Sequence, residues 1–247
     1  MVCDVELRPA LKGAYLHVPR GQERSPGLLL LHGSEGGLAG WTAWKALALA
    51  MKGFVTFAYP YSKGGNPWHA GDIHDVDLDE TAEALRWLCS HPTVSGKVGL
   101  YGASRGAEHA ILLASLMARD GLADLPDAVA AHSPSDTIVG AFIAGAWHPK
   151  ERETWDPSKR AWRWRGSSEE LTPTTPIELE RYAGPIFLSH GEQDQVSTVE
   201  CTRRLEARLR SSGRDPEVHY YPGEGHMLSP QSQNQERLIS FFCKHLQ

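Results

Sequence analysis

The 247-residue sequence has few cysteines, no C-x-x-C pair and no Cys/His spacing that matches a zinc site. Its four cysteines stand far apart, at positions 3, 89, 201 and 243. Scattered thiols of this kind are typical of proteins that are kept reduced. We therefore expect free thiols and a cytoplasmic location.

Positive charge and long apolar segments are also lacking. The formal net charge is −5. This charge disfavours a nucleic-acid partner, because proteins that bind nucleic acids usually carry an excess of basic residues. The most apolar stretches, such as GLLLLHG at 27–33, fall far short of the roughly 18 to 20 residues that a membrane span requires. The first twenty residues contain scattered charges and no signal-peptide core. We expect a soluble protein with neither a membrane nor a nucleic-acid partner.

Two kinds of bound group have no matching motif. The sequence contains no G-x-x-x-x-G-K-[ST] loop, so nucleotide hydrolysis is not indicated. Histidine and aspartate crowd the segment WHAGDIHDVDLDE at 68–80, but their spacing fits no standard zinc or calcium loop. Helix capping explains the aspartates from residue 77 onward. We expect neither a metal nor a cofactor.

From residue 27 onward, short apolar runs alternate with longer runs of helical period. This alternation predicts an α/β fold, in which a parallel sheet is joined by crossover helices. Two runs near the amino terminus, VELRPA and GAYLHVP, suggest an antiparallel edge. The predicted core strands are 27–33, 53–60, 97–102, 127–134, 184–191 and 216–223.

Residues 135–183 interrupt this alternation of strands and helices. The segment is too long for an ordinary loop, since loops in such folds span about 2 to 6 residues. We predict one domain over residues 1–247 with this segment as a cap-like insertion. Its AWRWRG stretch alternates apolar and basic residues, which fits a surface hairpin. It equally fits a lid whose aromatic face covers a substrate, in which case Trp147, Trp162 and Trp164 would contact that substrate.

The stretch VGLYGASRGAEHAILLA contains a G-x-S-x-G motif between a predicted strand and a predicted helix. A serine on such a sharp turn has its hydroxyl exposed at the sheet edge, while strand and helix approach too closely for large neighbours. Gly102 and Gly106 fit that constraint. The motif alone is weak and also fits a simple small-residue loop. Its context favours Ser104 as a nucleophile.

A neutral serine needs a base, and the base needs an orienting carboxylate. In folds of this kind both follow the nucleophile in the order acid, then histidine, on loops after successive strands. The segment SHGEQDQVS offers Asp194, with Glu192 and the earlier Asp136 as rivals, and YPGEGHML offers His226. Because these loops follow parallel strands, the three groups would meet at one edge of the sheet.

Acyl transfer also requires hydrogen-bond donors for the oxyanion that develops in the transition state. The glycine-rich loop LLHGSEGGLAGW supplies the amide of either Ser34 or Glu35, and the amide of Arg105 follows the nucleophile. Three further histidines also end predicted strands. We interpret them as hydrogen-bonded structural residues near the site: His32, His132 and His190.

These motifs resemble those of α/β-hydrolases, and the segment 85–115 together with HGSEGG, GPIFLSHGEQDQV and YPGEGHML narrows the resemblance. The chain is similar to the C-terminal catalytic domain of the acyl-CoA thioesterase and bile acid-CoA:amino acid N-acyltransferase family, relatives of dienelactone hydrolases. The resemblance implies the α/β-hydrolase fold, with a mostly parallel central sheet and helices on both faces. It also implies a triad of Ser104, Asp194 and His226.

Two departures from that family matter. Its N-acyltransferase and dienelactone members generally use a cysteine nucleophile, so the serine here favours hydrolysis over transfer to an amine. The amino-terminal β-sandwich of the animal enzymes has no counterpart in the sequence, so we do not expect their substrate preference to carry over.

We therefore predict a serine hydrolase that cleaves a small-molecule acyl ester or thioester through an acyl-enzyme. If the substrate is an acyl-CoA, Arg163 and Arg165 would meet its phosphates. A prolyl-oligopeptidase-like peptidase is the second enzyme hypothesis, which we rank lower because such enzymes normally carry a large additional domain. A catalytically silent ligand-binding protein on the same fold is the third. The sequence does not indicate an oligomeric state.

Overall fold

The structure is a computed structural model. It describes residues 3–8, 12–36, 40–62, 71–143, 155–156 and 158–247. The strands are β1 (Cys3–Arg8), β2 (Ala14–Pro19), β3 (Ser25–Leu31), β4 (Val55–Tyr59), β5 (Val76–Asp77), β6 (Val94–Ala103), β7 (Ala128–His132), β8 (Ala141–Phe142), β9 (Trp155–Asp156), β10 (Trp162–Arg163), β11 (Ile186–Gly191) and β12 (Glu217–Tyr221). The α-helices are α1 (Gly40–Ala50), α2 (Leu78–Ser90), α3 (Arg105–Arg119), α4 (Val199–Ser211) and α5 (Asn234–Leu246).

Eight strands form the central sheet in the order β1-β2-β4-β3-β6-β7-β11-β12. β1 and β2 pair antiparallel at one edge, and the strands from β4 to β12 in that order pair in parallel. The six predicted core strands and the antiparallel edge are confirmed. Because parallel strands carry their carboxyl ends to one edge, the loops after β3, β6, β7, β11 and β12 face the same side of the molecule.

Helices cover both faces of the sheet. In β3, Leu29 and Leu31 belong to the hydrophobic cluster that includes α2 and α3, whereas Leu28 and Leu30 pack with α1 and α5. A strand covered on both faces must be apolar throughout, which explains the continuous leucine run. No helix among the described residues is long and apolar enough to span a membrane.

Local signals set the helix ends. Asp77 caps α2, since its Oδ1 accepts the amide of Asp79 at 3.0 Å, and the acidic residues of the first turn favour the helix dipole. Beyond the end of α1, Gly53 adopts a φ of +99°, a conformation that side chains disfavour. Both signals are readable from the sequence.

The described part of the 135–183 segment packs onto α3 instead of standing away from it. Trp162 is fully buried and Trp164 is 4% exposed, while Arg163 and Arg165 face solvent. The predicted alternation of AWRWRG is therefore confirmed. The aromatic face meets the core of the protein.

A buried ion pair joins this segment to the start of α3. Arg105 and Glu108 pair with side chains only 1% and 2% exposed. Glu108 Oε1 also accepts the amide of Val139 at 2.9 Å and the indole N–H of Trp162 at 2.8 Å, and Arg105 donates to the carbonyl of Gly140. Buried charges are tolerated when they are paired and hydrogen-bonded in this way.

Glu108→Ala should strongly destabilise the protein. The substitution leaves the buried guanidinium of Arg105 without its carboxylate partner and leaves two N–H donors without an acceptor. We therefore expect a loss of about 3–5 kcal/mol in the free energy of unfolding. Urea denaturation followed by far-ultraviolet circular dichroism measures it. Glu83→Ala, on the exposed face of α2, is the matched control and should change stability by less than about 0.5 kcal/mol. Equal effects of the two substitutions would contradict the assignment.

Candidate active site

Ser104 lies on a strained turn between β6 and α3. Its φ is +54° and its ψ is −120°, a backbone conformation that a residue with a side chain rarely adopts. Close approach explains the flanking glycines: a Cβ on Gly102 would clash with the carbonyl of Gly106, and a Cβ on Gly106 would clash with the carbonyls of Leu31 and His32. The turn therefore has the geometry of a nucleophile elbow.

The ring of His226 contacts the carboxylate of Asp194. His226 Nδ1 lies 2.7 Å from Asp194 Oδ2, with the aspartate side chain fully buried and the histidine side chain 19% exposed. An ionised aspartate accepts, so Nδ1 carries the hydrogen and Nε2 is left as the basic nitrogen. This is the tautomer that a general base for a serine requires.

Three hydrogen-bond donors contact Asp194, and the ring of His190 lies close to it. Its Oδ1 accepts the amides of Val196 at 2.8 Å and Ser197 at 2.9 Å, and its Oδ2 lies 3.3 Å from Nε2 of His190 in addition to its bond with His226. Burial disfavours the ionised form, but hydrogen bonds from His190, His226 and Ser197 outweigh it and hold the pKa of Asp194 far below its usual range. The carboxylate stays charged and fixed in orientation.

The loops that carry Asp194 and His226 are joined by backbone hydrogen bonds. The amide of Gln193 donates to the carbonyl of Glu224 at 2.8 Å, and the amide of Glu192 donates to the carbonyl of Tyr221 at 3.0 Å. The loops lie so close that a Cβ on Gly191 would clash with the carbonyl of Glu224. Neighbouring strands therefore fix the distance between Asp194 and His226.

His132, at the end of β7, contacts the backbone of both Ser104 and His226. The amide of Ser104 donates to the His132 carbonyl at 2.8 Å, and His132 Nε2 lies 3.0 Å from the carbonyl of His226. Because a carbonyl only accepts, Nε2 carries the hydrogen and Nδ1 accepts the Ser189 hydroxyl at 2.9 Å. Burial lowers the pKa of His132 to about 4, so the ring is neutral at pH 7.

The other two strand-ending histidines are also hydrogen-bonded. Nδ1 of His32 lies 2.6 Å from the carbonyl of Gly33, and its ring stacks on Tyr61 at a centroid distance of 4.0 Å. His190 Nε2 lies 2.8 Å from the carbonyl of Ser197, and its Nδ1 lies 2.7 Å from the hydroxyl of Thr202. The interpretation of all three histidines as structural residues is consistent with these contacts.

The loop after β3 lies against the nucleophile. A Cβ on Gly33 would lie 3.3 Å from Cβ of Ser104. The amide of Gly33 donates to Oε1 of Glu35 at 3.1 Å. The Ser34 amide, one of the two predicted oxyanion donors in this loop, has no hydrogen-bond partner within the described chain. Arg105 opens α3, where the first N–H groups point out of the helix.

Sequence reasoning missed the side chain of Glu35. Only its amide was considered, yet its carboxylate accepts a hydrogen bond from the amide of Gly33, the glycine that packs against Ser104. An acidic residue within H-G-S-E-G-G is the only signal in the sequence.

The rival acids have partners elsewhere. The carboxylate of Asp136 accepts hydrogen bonds from Nη2 and Nε of Arg204, at 2.6 and 2.8 Å. A carboxylate oxygen of Glu192 lies 2.9 Å from the guanidinium of Arg203. Neither is hydrogen-bonded to His226. No group of three or more His, Cys, Asp or Glu side chains suited to a metal ion occurs in the part of the chain that the structure describes.

The structure buries two of the residues that were predicted to bind substrate. Burial of Trp162 and Trp164 in the core leaves them no surface for a substrate, so the structure corrects that expectation to a packing role. Arg163 donates to the carbonyl of Gly166, and Arg165 lies 3.6 Å from Asp120. Trp147 lies outside the described residues.

Comparison with known proteins agrees with this architecture. A model of the prolyl oligopeptidase family matches residues 41–247. The structure superposes on a putative dienelactone hydrolase from Klebsiella pneumoniae with a TM-score of 0.67 and 14% identity, covering 98% of both chains, which shows the fold alone.

Curated relatives include thioesterases and acyltransferases. Acyl-coenzyme A thioesterase 5 of Mus musculus is 38% identical over 92% of this chain and 54% of its own length. Acyl-coenzyme A amino acid N-acyltransferase 2 of Rattus norvegicus is 29% identical over 89% of this chain and 53% of its own. The chain thus spans about half the length of these relatives. Their names confirm the predicted resemblance.

Asp194→Asn should cost about 10⁴-fold in kcat while the protein stays folded, because an amide donor facing the ring favours the wrong tautomer of His226. Hydrolysis of p-nitrophenyl butyrate measures the rate, and circular dichroism checks the fold. Asp136→Asn and Glu192→Gln are matched controls and should stay within a few-fold of the wild type. A larger loss in either control than in Asp194→Asn would assign the acid elsewhere.

Proposed function

The chain belongs to the prolyl oligopeptidase family, and on that premise we propose that it is a serine hydrolase that cleaves an acyl ester or thioester through Ser104, His226 and Asp194. The observation that carries this proposal is the 2.7 Å contact between His226 Nδ1 and the buried Asp194 carboxylate. That contact leaves Nε2 as a base at the same sheet edge as the strained Ser104 turn.

In the proposed reaction, His226 Nε2 takes the hydroxyl proton as Ser104 Oγ attacks the acyl carbonyl. The oxyanion accepts hydrogen bonds from the amides of Ser34 and Arg105. The imidazolium then gives its proton to the departing alcohol or thiol, and the carbonyl re-forms as an acyl-serine ester. Water attacks that ester, with the same ring acting first as base and then as acid.

Asp194 stabilises the imidazolium in both steps without taking its proton. The hydrogen bonds that keep its pKa low support this role, because a carboxyl that remains ionised cannot compete for the proton. The coupling of Ser104 and His226 through His132 supports a site whose geometry is set before substrate arrives.

Thioesters are the favoured substrate class because several relatives are acyl-coenzyme A thioesterases. After serine attack, the leaving group of a thioester needs less protonation than that of an amide, since a thiolate leaves readily. A second candidate function is peptide hydrolysis, favoured by the description of the matching family. A panel of acyl-CoA thioesters, simple esters and aminoacyl amides separates the two.

Ser104→Ala should abolish both turnover of p-nitrophenyl esters and covalent labelling by a fluorophosphonate probe, because the attacking oxygen is removed. Mass spectrometry of the labelled wild type should place the phosphonate on residue 104. Ser133→Ala is the matched control: it removes a serine hydroxyl from the end of the neighbouring strand and should leave labelling intact. Labelling at another serine, or full turnover by Ser104→Ala, would contradict the proposed function.

A further inference from the structure

The loop that carries His226 is fixed on either side of that residue. The side chain of Glu224 accepts the amide of Ser229 at 2.8 Å, and its carbonyl accepts the amide of Gln193 at 2.8 Å. Between these points, residues 225–228 form neither helix nor strand. The place of His226 within this irregular stretch therefore needs a further contact.

One side chain supplies that contact. Nε2 of His132 lies 3.0 Å from the carbonyl oxygen of His226. Within the part of the chain that the structure describes, this is the one hydrogen bond to the backbone of His226. The ring of His226 is bonded separately, through Nδ1, to Asp194. His132 thus holds the main chain of the proposed base, while Asp194 holds its ring.

The ring of His132 is itself fixed. The residue is 8% exposed, and its Nδ1 accepts the hydroxyl of Ser189 on the neighbouring strand β11 at 2.9 Å. The carbonyl of His132 accepts the amide of Ser104 at 2.8 Å. A single residue at the end of β7 therefore contacts the backbones of the proposed nucleophile and the proposed base.

Packing alone does not require an imidazole at this position. The rest of β7 consists of alanine and valine, and the strand pairs with β6 and β11 through its backbone. An apolar side chain would fill the same space without the desolvation of two ring nitrogens. What the imidazole adds is a pair of hydrogen bonds, one to Ser189 and one to the carbonyl of His226.

We propose that His132 is a positioning residue, whose Nε2–H holds the backbone of His226 so that the ring of His226 meets the hydroxyl of Ser104. This inference rests on the proposed function. A misplacement of about 1 Å between reacting groups can lower a rate by about 100-fold. Loss of the His132 donor should therefore lower kcat about 10- to 100-fold and leave KM within about threefold, because the lost contact lies within the protein.

The test compares two substitutions of similar length, His132→Met and His132→Gln. Both remove the ring, but only glutamine carries an N–H donor for the carbonyl of His226. Hydrolysis of p-nitrophenyl butyrate is measured at pH 8, where the wild-type ring is neutral because burial lowers the pKa of His132 to about 4. Rates are expressed per active site, counted by complete fluorophosphonate labelling, so that a misfolded fraction does not lower kcat.

His132→Met should lose about 10- to 100-fold both in kcat and in the rate constant of labelling, because the same ring activates Ser104 in the two reactions. His132→Gln should exceed His132→Met in kcat by at least about fivefold. His17→Met is the matched control. It removes another buried histidine, on β2 with β4, β3 and β6 between it and β7, and should leave kcat within about twofold of the wild type.

Nitrogen-15 NMR of the wild type gives a second test that needs no variant. His132 should carry its proton on Nε2 at pH 7, since the carbonyl of His226 only accepts. A proton on Nδ1 instead overturns the inference. A kcat of His132→Met within about threefold of the wild type, equal kcat in the two variants, or a loss confined to KM overturns it as well.

The failure of the proposed function has a different signature. In that case the wild type itself neither hydrolyses p-nitrophenyl butyrate nor reacts with the fluorophosphonate. An active, labelled wild type whose kcat does not respond to substitution of His132 leaves the proposed function intact and removes only this inference.

Discussion

The hydrogen bond between His226 and the buried Asp194 carboxylate is the contact on which the proposed chemistry of this fold depends. It fixes the tautomer and orientation of the ring, and it does so only because Asp194 is itself held by two backbone amides and by His190. A carboxylate free to rotate or to take up a proton would not define the base. The hydrogen bonds that hold the pKa of Asp194 low despite its burial therefore also fix the orientation of the carboxylate.

Strand order brings these groups together. β6, β7, β11 and β12 are neighbours in the sheet, and their carboxyl ends place Ser104, His132, Asp194 and His226 along one edge. His132 occupies the strand between those that lead to Ser104 and Asp194, and it contacts the backbone of both Ser104 and His226. On the other side of β6, the loop after β3 places Gly33 against Ser104. The site is therefore a property of the sheet, which limits how far any one loop can shift.

Much of this arrangement was predictable from the sequence, because the constraints involved are local. The glycines around Ser104, the cap at Asp77 and the apolar run of β3 each satisfy a steric or hydrogen-bonding requirement that a few neighbouring residues express. The order of nucleophile, acid and base along the chain then follows from the parallel sheet. The catalytic roles of Ser104, Asp194 and His226 stay a prediction that chemistry has to test.

Other features depend on which surfaces meet, and periodicity does not record that. The alternation of AWRWRG predicted one aromatic face, but the same pattern suits a lid or a core, and only the packing on α3 assigns Trp162 and Trp164 to the core. Likewise, Glu35 was visible as a loop residue, whereas the direction of its side chain depends on Gly33 and Thr42. Both cases depend on contacts that no short sequence window contains.

A crystal structure of the enzyme inactivated by a fluorophosphonate would show whether Ser104, His226 and Asp194 act together. The account predicts phosphorus bonded to Oγ of Ser104, Nε2 of His226 within about 3.2 Å of that oxygen or of the leaving-group position, and a phosphoryl oxygen at the amides of Ser34 and Arg105. A His226 ring turned away from the adduct, with its contact to Asp194 broken, would contradict it.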